Sequence, residues 1–236
     1  MNTATSRPST SASGESLAAW LTEILKIRIS NGHYKPGEWL REAAFRLEFG
    51  LSNGPVREAL QNLVAEGALV REARRGVRVV SLTEEEITSL IEVRLGLLEL
   101  AAELAVHNAT ADDLRYATDL MSQINDAVAK GEYKDAFPLL GEMIDSVCAM
   151  SANDFLVTAW NNFKVPARVY VFASYEATKK PAQVFARWNR LVTAIAERDA
   201  NAAKTAVRNI YKNTLRELGL KGSSSLFKAP SKSSGV

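Results

Sequence analysis

The segment "GLSNGPVREALQNLVAEGALV", residues 50–70, sets a glycine, a serine, a second glycine and a proline against the start of a long amphipathic run. Val56, Leu60, Leu63 and Val64 recur at i, i+4, i+7 and i+8, so one face is apolar and belongs in a core. The opposite face carries Gly54, Arg57, Glu58 and Gln61. A basic group lies in "ALVREARRGVRVV", residues 68–80, around Arg74, Arg75 and Gly76. Catalysis has no comparable cluster. There is no glycine-rich phosphate loop, no G-x-S-x-G and no H-E-x-x-H. Cys148, His33 and His107 are far apart in sequence, Cys148 reads as a small core residue, and His107 falls at a helix end where a solvated histidine is expected. These observations favour a binding protein over an enzyme.

Before this helix, "REAAFRLEF" from Arg41 reads as a short helix with Phe45 and Phe49 at i, i+4, ended by Gly50. Ser52 sits where an N-cap belongs, and Pro55 falls in the first turn of the next helix, where its missing N–H costs nothing. Two helices joined by about three residues containing glycine form a helix-turn-helix or an ordinary helical hairpin. The β-branched run flanking Arg74–Arg75–Gly76 decides between them, because a basic two-stranded hairpin after a helix-turn-helix makes a winged helix. Residues 1–80 hold 11 Lys/Arg against 8 Asp/Glu, and the remainder 18 against 19, so the basic surplus lies with this domain.

The fold class expected is mainly α: a winged helix-turn-helix domain over 15–80, then an all-helical bundle of about six helices over 81–220. "TEEE" at Thr83 and "TADD" at Thr110 read as N-cap boxes, Asp199 as a further cap, and Gly131 and Gly219 as stops. The Ser-, Pro- and Gly-rich stretches at 1–14 and 221–236 read as disordered tails. No apolar run approaches the ~18 residues of a membrane span and no signal segment is evident, so a cytoplasmic protein without membrane contact is expected.

The run "KPGEWLREAAFRLEFGLSNGPVREALQNLVAEGALVREARRGVRVV" resembles the DNA-binding domain of GntR-family transcription regulators. That family shares P-G-x-x-L-x-E, then G-V-S-R-x-P-V-R-E-A-L, then E-G-L and a wing glycine. Pro36, Gly37, Leu40, Glu42, Gly50, Ser52, Pro55, Val56, Arg57, Glu58, Ala59, Leu60, Glu66, Gly67 and Gly76 fall on the pattern. The resemblance implies duplex DNA as partner, with Arg41, Ser52, Asn53, Gly54, Arg57, Gln61, Arg74, Arg75 and Gly76 as contact candidates. Asn53 replaces the usual arginine and Gly54 stands where threonine is common, so a contact worth about 1–3 kcal/mol of base discrimination is missing and the operator should differ.

Residues 81–220 resemble, more loosely, the helical effector domain of the FadR-like branch of that family. Arg94, Glu99, Ala102 and Ala105 fit its R-x-x-x-x-E-x-x-A-x-x-A opening, Asn153 in "SAND" fits its S-G-N, and "AIAERDANAA" fits the start of its last helix. Most members of that branch hold a divalent metal with one Asp and three His. Here the matching positions are Ile144 or Asp145, Trp188, and Ile210 or Tyr211, none of them histidine, so no metal and no other cofactor is expected. The resemblance implies a homodimeric regulator, expected to be a repressor on a pseudo-palindrome, released by a small effector. Arg94, Asp145, Asn153, Tyr170, Trp188 and Tyr211 are the effector-site candidates, and Trp188 in place of a ligand points to an apolar, aromatic compound. Two alternatives stay open: a helical domain that only dimerises, or one that takes a carboxylate metabolite without metal.

Overall fold

The computed structural model describes residues 16–222; apart from Lys221 and Gly222, the stretches read as tails lie outside the described residues. The chain divides into two compact units, residues 1–82 and 83–236.

In the first unit, α1 (Leu17–Ser30) begins at Ser16, whose side chain accepts a hydrogen bond from the Ala19 amide at 3.1 Å. The strand β1 (Trp39–Leu40) leads into α2 (Glu42–Phe49), which stops at Gly50 in the left-handed conformation, φ 62°. Gly50, Leu51 and Ser52 form the turn, and α3 (Asn53–Ala65) follows. The helix-turn-helix is thus present with its three-residue turn. Leu21, Leu25 and Ile29 of α1 and Val56, Ala59, Leu60 and Leu63 of α3 have no exposed surface and pack together; Val64, expected on the same face, is only half-buried. Each leucine so buried contributes about 1.5–3 kcal/mol. The wing is β2 (Leu69–Glu72) and β3 (Gly76–Val79), paired antiparallel with Glu72 opposite Gly76. β1 adds to the other edge of β3, Trp39 opposite Arg78, giving the order β1-β3-β2.

The second unit, as far as described, contains seven helices where about six are expected: α4 (Glu84–Asn108), α5 (Ala111–Ala129), α6 (Tyr133–Ala149), α7 (Asp154–Asn162), α8 (Lys164–Ala177), α9 (Pro181–Ala196) and α10 (Ala200–Glu217). The helical pattern over 154–177 is divided at Phe163. Pro166 has no N–H to bond the Asn162 carbonyl, so an uninterrupted helix loses a rung there. Thr83 and Thr110 each complete a capping box, with Glu86 and Asp113, and Asp199 caps α10. Gly131 and Gly219 follow the ends of α5 and α10 at φ 75° and 74°. α5 packs on α6, and α10 on α4 and α9, around Leu95, Leu98, Ile124, Met143, Trp160, Phe185 and Leu191. Cys148 lies in this core. No helix among the described residues is long and apolar enough to cross a membrane.

Candidate DNA interface and effector cavity

On α3 the residues expected to meet DNA are solvent-exposed: Asn53, Gly54, Arg57 and Gln61, with Ser52 before them. Ser52 takes the N-cap position, but its side chain makes no capping hydrogen bond. Arg57 Nε donates to Glu42 Oε2 at 3.0 Å, and its side chain remains 63% exposed. The guanidinium therefore has a preferred direction while most of its donors face solvent. Arg41, also exposed, occupies the N-cap position of α2 beside Glu42. Glu42, the partner of Arg57, was not singled out by local pattern; its signal was its place in the family motif.

The wing tip places Arg74 in the left-handed region at φ 64° and Gly76 at φ 109°. For a side-chain-bearing residue that conformation costs about 1–2 kcal/mol, here taken up in the tight turn between β2 and β3. Arg75 stacks over the Trp39 ring, 5.5 Å to its centroid, and Nη1 donates to Glu72 Oε2 at 3.4 Å. Glu72 Oε1 also accepts from Arg78 Nε at 2.6 Å, and this bond, foremost, holds the carboxyl below its usual range. Trp39, 39% exposed, is a second residue the sequence reading missed, because its role depends on β1 pairing with β3.

In the helical unit, Arg94 of α4 is 4% exposed, with its guanidinium carbon 3.5 Å from the Trp160 ring centroid. Its Nη1 donates to the Phe163 carbonyl at 3.3 Å, while its Nε is buried with no hydrogen-bond partner. Tyr211 of α10 is buried beside it and hydrogen-bonds the guanidinium; burial pushes the phenol up, and Arg94 opposes that shift. Arg94, Ile144, Trp188, Ile210 and Tyr211 line one cavity together with Leu140, Gly141 and Arg168. The cavity is small, ≈ 30 Å³, with room for about two waters. A neighbouring cavity shares Trp188 and Ile210 and continues to Tyr175, Val184 and Arg187.

Three of the expected effector residues therefore converge: Arg94, Trp188 and Tyr211. The other three line neither cavity. Asp145 accepts from Trp160 Nε1 at 3.1 Å and pairs with Lys164 Nζ at 2.6 Å. Asn153 caps α7, accepting from the Leu156 amide at 3.1 Å. Tyr170 is buried in α8. Arg168 was missed altogether; its signal is spatial, from a glycine on another helix. Among the described residues no three His, Cys, Asp or Glu side chains converge, and the cavity offers indole, phenol and guanidinium groups where a transition metal needs imidazole, carboxylate or thiolate. The donor set does not fit a metal.

Residues 17–79 match the family model described as "Bacterial regulatory proteins, gntR family", and residues 89–213 match that of the FCD domain. Over 159 residues the chain is 31% identical to the gluconate operon transcriptional repressor of Bacillus licheniformis, covering 66% of this chain and 64% of that one. It is 33% identical over 107 residues to the uncharacterized HTH-type transcriptional regulator YdhC of Bacillus subtilis, covering 45% and 48%. The matched stretches thus span from about half to just under two thirds of these relatives. Among solved structures, Escherichia coli McbR/YncC superposes with a TM-score of 0.78 at 23% identity, over 87% of this chain and 98% of that one. A putative GntR regulator from Rhodococcus sp. RHA1 superposes with a TM-score of 0.74 at 20% identity, over 86% and 98%; both likenesses concern the fold alone. The chain belongs to the GntR family of DNA-binding transcription regulators, with an FCD domain as its second domain.

Proposed function

We propose that this regulator is a homodimeric cytoplasmic repressor that holds a pseudo-palindromic operator until a small organic compound enters its helical unit. The observation that carries the reading is the division of α3 into a buried face and an exposed face bearing Asn53, Gly54, Arg57 and Gln61. A helix so divided can lie in a major groove with its N-terminal residues over base edges, while Arg74 and Arg75 reach a phosphate or the minor groove. One winged helix reads only a few base pairs, and two-fold symmetry doubles the site. For the dimer, α4 leaves Val93 and Leu100 48% and 44% exposed with Gly96 between them, an apolar strip at i, i+3 and i+7 that a second copy would cover. For repression, two relatives carry the names gluconate operon transcriptional repressor and probable D-xylose utilization operon transcriptional repressor. For an effector, buried Arg94, Trp188 and Tyr211 share a cavity.

A second reading, a bundle that only dimerises, draws on the cavity's small volume. An operator selected from random duplexes by the wild-type protein separates the two. Two chains per duplex are expected, with release by at least one compound co-purified with the protein or drawn from a panel of aromatic acids and phenols. One chain per duplex contradicts the dimer, and DNA that stays bound against every compound favours the bundle that only dimerises.

A further inference from the structure

The three-stranded sheet of the first unit keeps a large aromatic ring outside its core. Leu40 of β1 and Val77 and Val79 of β3 face the interior and are buried. Because side chains alternate along a strand, the other face carries Trp39 opposite Arg78 and Glu72 opposite Gly76. β1 is fastened there by more than its two-residue ladder. The Val79 amide donates to the Glu38 carbonyl at 2.9 Å, and the Gly37 amide donates to the Val79 carbonyl at 3.1 Å. The Trp39 indole therefore has a fixed place beside the wing.

Three contacts converge on Arg75 at that place. Its guanidinium carbon lies 5.5 Å from the Trp39 ring centroid, its Nη1 donates to Glu72 Oε2 at 3.4 Å, and its amide donates to the Glu72 carbonyl at 3.1 Å. Arg78 Nε holds the other oxygen of the same carboxylate at 2.6 Å, so two cations share one anion and the group stays positive. The Arg75 side chain is nevertheless 72% exposed, and an exposed ion pair adds little to stability. What these contacts change is freedom. A guanidinium that samples many rotamers loses them on binding, and holding it in place beforehand removes part of that cost. A ring beneath the guanidinium occupies only its face, which leaves the N–H donors in its plane available.

We propose that Trp39 is a positioning residue for DNA recognition, its ring holding the Arg75 guanidinium so that the wing meets the duplex already ordered. This rests on the proposed placement of the wing on operator DNA and assigns the residue that orients it. Glu72 engages one donor of Arg75, and the others are left for a phosphate oxygen or for the acceptors on the minor-groove floor.

The test measures equilibrium binding of the full chain to its selected operator at one salt concentration. It compares wild type, Trp39→Leu, Trp39→Phe, Arg75→Ala, the double variant Trp39→Leu/Arg75→Ala and Arg57→Ala, with unfolding midpoints to check folding. Leucine keeps an apolar side chain on β1 but has no π face. Trp39→Leu should weaken binding about three- to fivefold, as loss of an exposed cation–π contact does, and Trp39→Phe should weaken it less. In the Arg75→Ala background, Trp39→Leu should change affinity by less than about twofold, because a ring that acts through Arg75 has nothing left to position. If Trp39→Leu does not fold, Trp39→Met replaces it in both backgrounds. Unchanged binding by Trp39→Leu, unchanged binding by Arg75→Ala, or an equal loss with and without Arg75 overturns the proposal. Tighter binding by Trp39→Leu also overturns it, because the indole then parks Arg75 away from the duplex. With any of these results, an Arg57→Ala variant that still loses affinity leaves the reading role of α3 standing. An Arg57→Ala variant that binds like wild type while Trp39 and Arg75 remain coupled does the reverse.

Discussion

Arg57 and Cys148 show how opposite environments set opposite roles for two reactive side chains. Arg57 is steered by Glu42 yet mostly solvated, and an exposed pair of this kind contributes only about 0–1 kcal/mol to stability, so its role is direction. Cys148 is buried, and desolvation foremost pushes its thiol up to about 12. Its folded pKa therefore lies above the unfolded value of about 8.5, so the neutral thiol is favoured in the fold. The stability this provides is fully present below about pH 8.5 and is lost as pH rises from there toward 12. A thiolate-selective reagent at pH about 8 should leave native protein unmodified while labelling denatured protein, and equal rates would show that Cys148 is not enclosed. Residue roles set by local pattern were legible in the sequence, among them the core reading of Cys148. Roles set by partners far along the chain, such as Arg168 on Gly141 or Arg75 over Trp39, were not.

At the scale of elements, the capping boxes were readable because they need only residues three apart, as at Thr83 and Glu86. Thr83→Ala should destabilise the helical unit by about 1 kcal/mol in urea unfolding, and an unchanged midpoint would mean that α4 does not depend on its cap. β1 escaped the sequence reading because two residues carry no periodicity; it exists through its pairing with β3. Likewise the break at Phe163 follows from a single proline inside an otherwise continuous helical pattern. The wing was legible from its β-branched flanks. Arg74→Ala and Arg75→Ala should each lower the slope of log affinity against log salt by about one. A slope that stays the same in both variants places the wing away from the duplex.

For the whole molecule, the winged-helix and FCD units could both be anticipated, since each follows from helical periodicity, glycine placement and a motif that spans its elements. What could not be read was which of the six expected effector residues meet, because the register between helices is fixed by packing and not by local sequence. The proposed function places α3 in the groove of operator DNA as its reading element. It is tested most directly by equilibrium binding of wild type and Arg57→Ala to the selected operator at one salt concentration. The variant, folded as judged by its unfolding midpoint, should bind that operator more than about tenfold more weakly. Equal affinity would contradict the placement of α3 in the groove.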